Sequence, residues 1–192
     1  VTGRYAKGEK LHGRTAEGLR TELPFLYNHN VVTNFPREVF RDCKMQETAN
    51  VANVEIIFEG RADLVMAYCD DVGNGYLQVV DMKTTGCLNG FNSANPELGT
   101  ALQQFNGDLH DIYPSNAAER TIIDKYKYQL TLYSNALEAI ENEKPVDERR
   151  TVLPPAILIA ASGRTVEMSA EQYQQTKEAV SYTHLTLPTT DR

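Results

Sequence analysis

Three features of the chain predict an α/β fold. Short apolar runs bounded by Gly, Asn and Asp recur between residues 38 and 83, as β-strands do. A 3-4 apolar spacing through Ile123, Tyr126, Leu130, Tyr133, Leu137 and Ile140, ending before Pro145, predicts a long amphipathic helix. Beyond it, a short apolar strand over 156–160 and a helix over 169–179 return the chain to alternation.

Taken in order, residues 7–23 read as a first helix stopped by Pro24, with His12, Ala16, Leu19 and Leu23 on one face, although Gly13 and Gly18 disfavour it. Strands are expected over 38–46, 54–58, 62–68 and 76–83. Asp70-Asp71-Val72-Gly73-Asn74-Gly75 supplies the turn between the last two, and its Asn-Gly pair is a strong hairpin signal. Residues 86–115, rich in Gly, Asn, Ser and Pro, read as a long loop. Asn116 with Glu119 three positions later resembles a capping box and opens the long helix.

The strands carry the chemistry. Side chains alternate across a strand, so Asp81 and Lys83 share one face while Val80 and Met82 turn to the other. Asp63 opens the apolar run before the turn, and a hairpin brings it against Asp81. Two converging carboxylates repel unless a cation lies between them, and an all-oxygen donor set suits Mg²⁺ or Mn²⁺. The plainer alternative for Asp81 and Lys83 is a surface ion pair, which contributes little. Against it, the run Leu77, Val79, Val80 is apolar enough to bury Asp81.

With Asp63, the Asp81-Met82-Lys83 triplet and the later Gln129-Leu130-Thr131-Leu132-Tyr133 segment, the chain resembles the RecB-like nuclease domains of the PD-(D/E)XK superfamily. The likeness spans roughly residues 12–133. It implies a restriction-endonuclease-like mixed sheet flanked by helices, and Mg²⁺- or Mn²⁺-dependent hydrolysis of DNA phosphodiester bonds in repair, recombination, phage or CRISPR-associated settings. By the same resemblance, Asp63, Asp81, the Met82 carbonyl and His12 would hold the metal, with Glu17 as the alternative first-helix ligand. Lys83 would be the catalytic cation, and Gln129 and Tyr133 would orient substrate. The implied partners are DNA with a single-stranded end and a helicase domain or subunit. A catalytically silent DNA-end-binding module of a helicase–nuclease complex, and an unrelated phosphohydrolase acting on nucleotides, are the competing readings. Some relatives hold an iron–sulfur cluster through one cysteine before the first-helix histidine and three after the final helix. No cysteine precedes His12 or follows Cys87, so the cluster is not visible in this fragment.

Composition bounds these expectations. With 192 residues, 41% of them hydrophobic, the chain can bury one core. No apolar run approaches the length that a bilayer requires. Cys43, Cys69 and Cys87 are odd in number and widely spaced, which fits a reduced cytoplasmic protein. A net charge of −7 disfavours a broad nucleic-acid surface, but residues 1–20 carry five Lys or Arg against two Glu and can guide a strand to a small site. Residues 180–192 are similar to the in-frame translation of a transposase-type sequencing adapter. The expected domain is therefore 1–179, cut at both ends.

Overall fold

A computed structural model of the chain describes residues 7–11, 13–33, 52–84, 96–104 and 111–183. The described strands are β1 (Lys10–Leu11), β2 (Arg14–Thr33), β3 (Ala52–Cys69), β4 (Gly75–Lys83), β5 (Thr151–Val152), β6 (Ala156–Ile159) and β7 (Arg164–Glu167), and the described helices α1 (Pro96–Gln103), α2 (Ala117–Asn142) and α3 (Ala170–Thr183). They form a mixed sheet in the order β1-β2-β3-β4-β6-β7, with β5 also on β4. β4 pairs antiparallel with β3 but parallel with β5 and β6. The prediction of an α/β chain with a mixed sheet flanked by helices holds at that level.

The expected first helix over 7–23 is instead a strand pair. Gly8 and Gly13 sit at φ +91° and +76°, left-handed conformations that cannot propagate a right-handed helix. The pairing of β2 with β3 along its length, from Thr15 with Cys69 to Thr33 with Ala52, then supplies the backbone hydrogen bonds that a helix would have made locally. The runs over 54–58 and 62–68 are one strand, because Gly60 between them pairs with Phe25 and continues the ladder. Residues 38–46 lie outside the described residues. Within the stretch read as a long loop, α1 begins with Pro96 at the first helical position, where a missing N–H costs nothing, and buries Leu102 fully. The sequence reading also missed β5 and β7; Pro154 and Pro155, which cannot donate to a ladder, separate β5 from β6. α3 runs through the expected boundary at 180, and Val180 is buried.

The turn from β3 to β4 is organised by Asp70, whose carboxylate accepts hydrogen bonds from the Val72 and Asn74 amides, the Asn74 side chain and the Tyr76 hydroxyl. The left-handed residue is Gly73, at φ +92°, rather than either member of the Asn-Gly pair. α2 starts as expected: Asn116 accepts from the Glu119 amide at 2.9 Å. The Glu119 carboxylate accepts from the amide and hydroxyl of Ser115, one residue before the cap.

One face of the sheet packs Val65, Val79, Ile157 and Ile159 against Ile122, Ile123, Leu130 and Leu137 of α2 and Tyr173 of α3. The other face buries Ala16, Met66, Tyr68, Val80, Ala156 and Leu158. Two polar groups are locked into this apolar frame. On the α2 side, Arg164 of β7 and Glu119 are both wholly buried, joined at 2.7 and 3.2 Å, while the second guanidinium nitrogen also donates to the Tyr113 carbonyl at 2.9 Å. On the other side, buried Gln78 donates to the Pro154 carbonyl and to Glu167, and accepts from the Tyr68 hydroxyl. Arg14 completes that cluster at 2.8 Å from Glu167.

Removing one partner of a buried pair leaves an uncompensated charge. Arg164→Leu is therefore expected to lower unfolding stability by about 3–5 kcal/mol in urea titration. A loss within about 0.5 kcal/mol, as for surface changes, would mean that the pair does not anchor α2.

Candidate metal and phosphate site

β3 and β4 part company at the site. Their last paired residues are Leu64 and Val80, so Asp63 and Asp81 are the next residues on each strand. β4 continues along β6, with Asp81 opposite Ile157 and Lys83 opposite Ile159, while β3 continues along β2. At this fork the Asp63 side chain replaces the missing ladder partner: its Oδ2 accepts from the Met82 amide at 3.1 Å. The N–H and C=O of one strand residue point to the same side, so the Met82 carbonyl also faces the fork. Opposite Asp63, between the pairs Thr21–Leu64 and Leu23–Ala62, Glu22 holds φ 53°. That left-handed conformation is strained for a residue with a Cβ.

Asp81 and Lys83 lie on the α2 face, in phase with Leu77 and Val79. Asp81 is 4% exposed, and Lys83 Nζ stands 2.5 Å from its Oδ2. The contact is an ion pair by distance, yet its angle leaves Oδ2 with no well-directed hydrogen bond among the described residues. Burial raises the Asp81 pKa above the ordinary carboxyl range; Lys83 opposes that shift, and the charge of Asp63, together with the hydrogen bond that protonated Asp81 donates to it, reinforces the rise. The two carboxylates are thus close enough to repel.

α2 covers this end of the sheet. Lys83 Nζ lies 4.0 Å from the centroid of the Tyr126 ring. Seven residues on, Tyr133 lines a small crevice with Ala136, Leu137, Val65 and Val79. The helix therefore runs antiparallel to β4, and its turns between Tyr126 and Tyr133 pass the level of Asp63 and Asp81. Gln129, exposed on that stretch, donates through Nε2 to the Tyr133 hydroxyl at 2.7 Å. Tyr133 is half-buried against the core, so it serves packing as well as the flank of the site.

Of the residues singled out in the sequence, Asp63, Asp81, Met82 and Lys83 are brought together, with Gln129 and Tyr133 beside them. His12 lies outside the described residues. Glu17 does not join the acids. It is on β2 near the level of Tyr68, four to five residues along the sheet from Asp63, and pairs with Arg150 at 2.8 Å. Among the described residues no group of three His, Cys, Asp or Glu side chains converges. What fits a hard divalent cation here is a set of oxygens: a buried, poorly satisfied Asp81 Oδ2, the Asp63 carboxylate and the Met82 carbonyl. Tyr126 and Glu22 are the site neighbours that sequence reasoning missed. Tyr126 carries the apolar period of α2 and could be read as core or as a base-stacking residue; nothing local marks Glu22. No protein-family model and no curated protein matches the chain.

Three outcomes follow from this geometry. A carboxyl with a raised folded-state pKa binds its proton more tightly in the folded chain. The contribution of Asp81 to stability is therefore greatest below the ordinary carboxyl value of about 4 and falls as pH rises through the raised one. In chelator-containing buffer, Asp81→Asn should flatten that fall in melting temperature between acid and neutral pH. At neutral pH, Mg²⁺ at about a hundred times its Kd should stabilise the wild type by about 2.7 kcal/mol and Asp81→Asn far less. An equal Mg²⁺ response in both proteins would remove Asp81 from the metal shell. Separately, Glu22→Gly should relieve the left-handed strain and raise stability by about 1 kcal/mol, and a decrease in thermal unfolding measurements would show that the Glu22 side chain outweighs it.

Proposed function

We propose that this chain is a metal-dependent nuclease that hydrolyses DNA phosphodiester bonds, of the RecB-like kind within the PD-(D/E)XK superfamily. The observation that carries the reading is the fork itself: it presents two carboxylates, a backbone carbonyl and an ammonium at one sheet end, under a helix bearing Gln129 and Tyr133.

Asp63, Asp81 and the Met82 carbonyl would hold Mg²⁺ or Mn²⁺. The bound ion supplies charge neutralisation at the scissile phosphate and a more acidic water. Lys83 contributes a fixed positive charge beside the acids, aimed at the negative charge that builds on the phosphoryl oxygens as water attacks phosphorus and the ester oxygen leaves. Gln129, held by Tyr133, offers its amide at the rim and orients the strand. On the exposed surface of α2, Lys125, Lys127 and Tyr128 extend this rim with cations and an aromatic face. They support a single-stranded approach, since stacking and phosphate contacts do not require a large basic surface. A helicase partner is part of the proposal only through the family likeness.

The purified chain should cleave linear DNA with Mg²⁺ or Mn²⁺ and not with chelator. Asp81→Ala and Lys83→Ala should each abolish cleavage, with Lys83→Ala still binding metal in calorimetry. Gln129→Ala should lower turnover at an unchanged melting temperature, whereas Tyr133→Ala should also destabilise the fold. Full activity in Asp81→Ala would end the nuclease reading.

A further inference from the structure

We propose that Tyr126 is a positioning residue for Lys83, holding its ammonium at the site when Asp81 turns to another cation. The functional meaning of this rests on the nuclease reading; the contact itself does not.

Among the described residues, Lys83 Nζ meets two groups of different kinds: Asp81 Oδ2 at 2.5 Å and the Tyr126 ring centroid at 4.0 Å. The carboxylate oxygen that pairs with Lys83 is the same buried atom that a divalent cation needs, so the two cations compete for it. A flexible lysine released from its acid would regain its rotamer freedom and swing to solvent. The ring attracts an ammonium through its quadrupole without neutralising it and offers no ligand to a hard metal ion. It can keep Lys83 beside the acids while leaving its full charge for the phosphate. The anchor is firm: Tyr126 is half-buried against the core on α2, whose start is fixed by the Glu119–Arg164 pair. Lys125 Nζ lies 5.2 Å from the same centroid, so the ring joins the site lysine to the cations of the exposed rim.

The test uses the whole chain with ¹³C-labelled lysine, the Lys83 ε-methylene signal being assigned by its loss in Lys83→Gln. In the wild type that signal should be shifted upfield by the ring and should stay so after saturation with Mg²⁺. Tyr126→Leu should return it to the ordinary lysine position, and Tyr126→Phe, which keeps the ring, should restore the shift. In DNA cleavage, Tyr126→Leu should lower kcat about threefold to thirtyfold with KM little changed, the range that one such contact supports, and Tyr126→Phe should rescue most of it. An unshifted Lys83 signal in the wild type, its return to the ordinary position on adding Mg²⁺, or Tyr126→Phe behaving as Tyr126→Leu would each overturn the proposal. Absence of cleavage by the wild type would instead defeat the nuclease reading, with the spectra still deciding the contact.

Discussion

The wholly buried guanidinium of Arg164 holds the carboxylate of Glu119 through two nitrogens, and the placement of α2 depends on that grip. A guanidinium and a carboxylate satisfy each other in plane, and a further donor goes to the Tyr113 carbonyl, so the desolvated charges are compensated. Glu119 also closes the first turn of α2 on Ser115. Fixing the start of a helix fixes the height of everything later on it. Tyr126 comes to rest over Lys83, and Gln129 and Tyr133 beside the acids, because their distance from Glu119 is set by the helical rise.

The second constraint is that β4 does not stay paired with both β3 and β6 to its end. Its final residues follow β6 while β3 stays with β2, and the backbone groups on the vacated side need partners. Asp63 answers that need with its side chain. The same divergence therefore exposes backbone polar groups, draws a carboxylate to them and opens the space in which a second carboxylate is tolerated. The site is a by-product of how the sheet branches, and the strained Glu22 lies beside it.

What could be read from the sequence was what depends on neighbours along the chain. The alternation that puts Asp81 and Lys83 on one face, the Asn116 cap and the period of α2 are local, and each was found where expected. The β3–β4 hairpin was legible through its turn, although Asp70 rather than Asn-Gly shapes it. The failures share a cause: β2 looked helical because Ala16, Leu19 and Leu23 keep a 3-4 spacing, and the long ladder with β3, together with the left-handed glycines before it, overrides that. Arg164, a charged residue in a four-residue strand, gave no local sign of being buried, since its partner stands forty-five positions earlier. Tyr126 was visible as part of a stripe, but its contact with Lys83 belongs to the packing of α2 on β4.

The cluster of Arg14, Glu167, Gln78 and Tyr68 bears on how the chain reaches this arrangement. Its ion pair joins residues 153 positions apart, linking β2 to β7. Closing so long a loop costs chain entropy, and the reward comes only when both ends are in place. The segment from α2 to β7, by contrast, is stitched by short-range contacts and the Glu119–Arg164 pair. On this topology the helix and its strands can condense first, with β2 locked down last. During synthesis, the buried polar cluster on the far face must wait until residue 167 has left the ribosome.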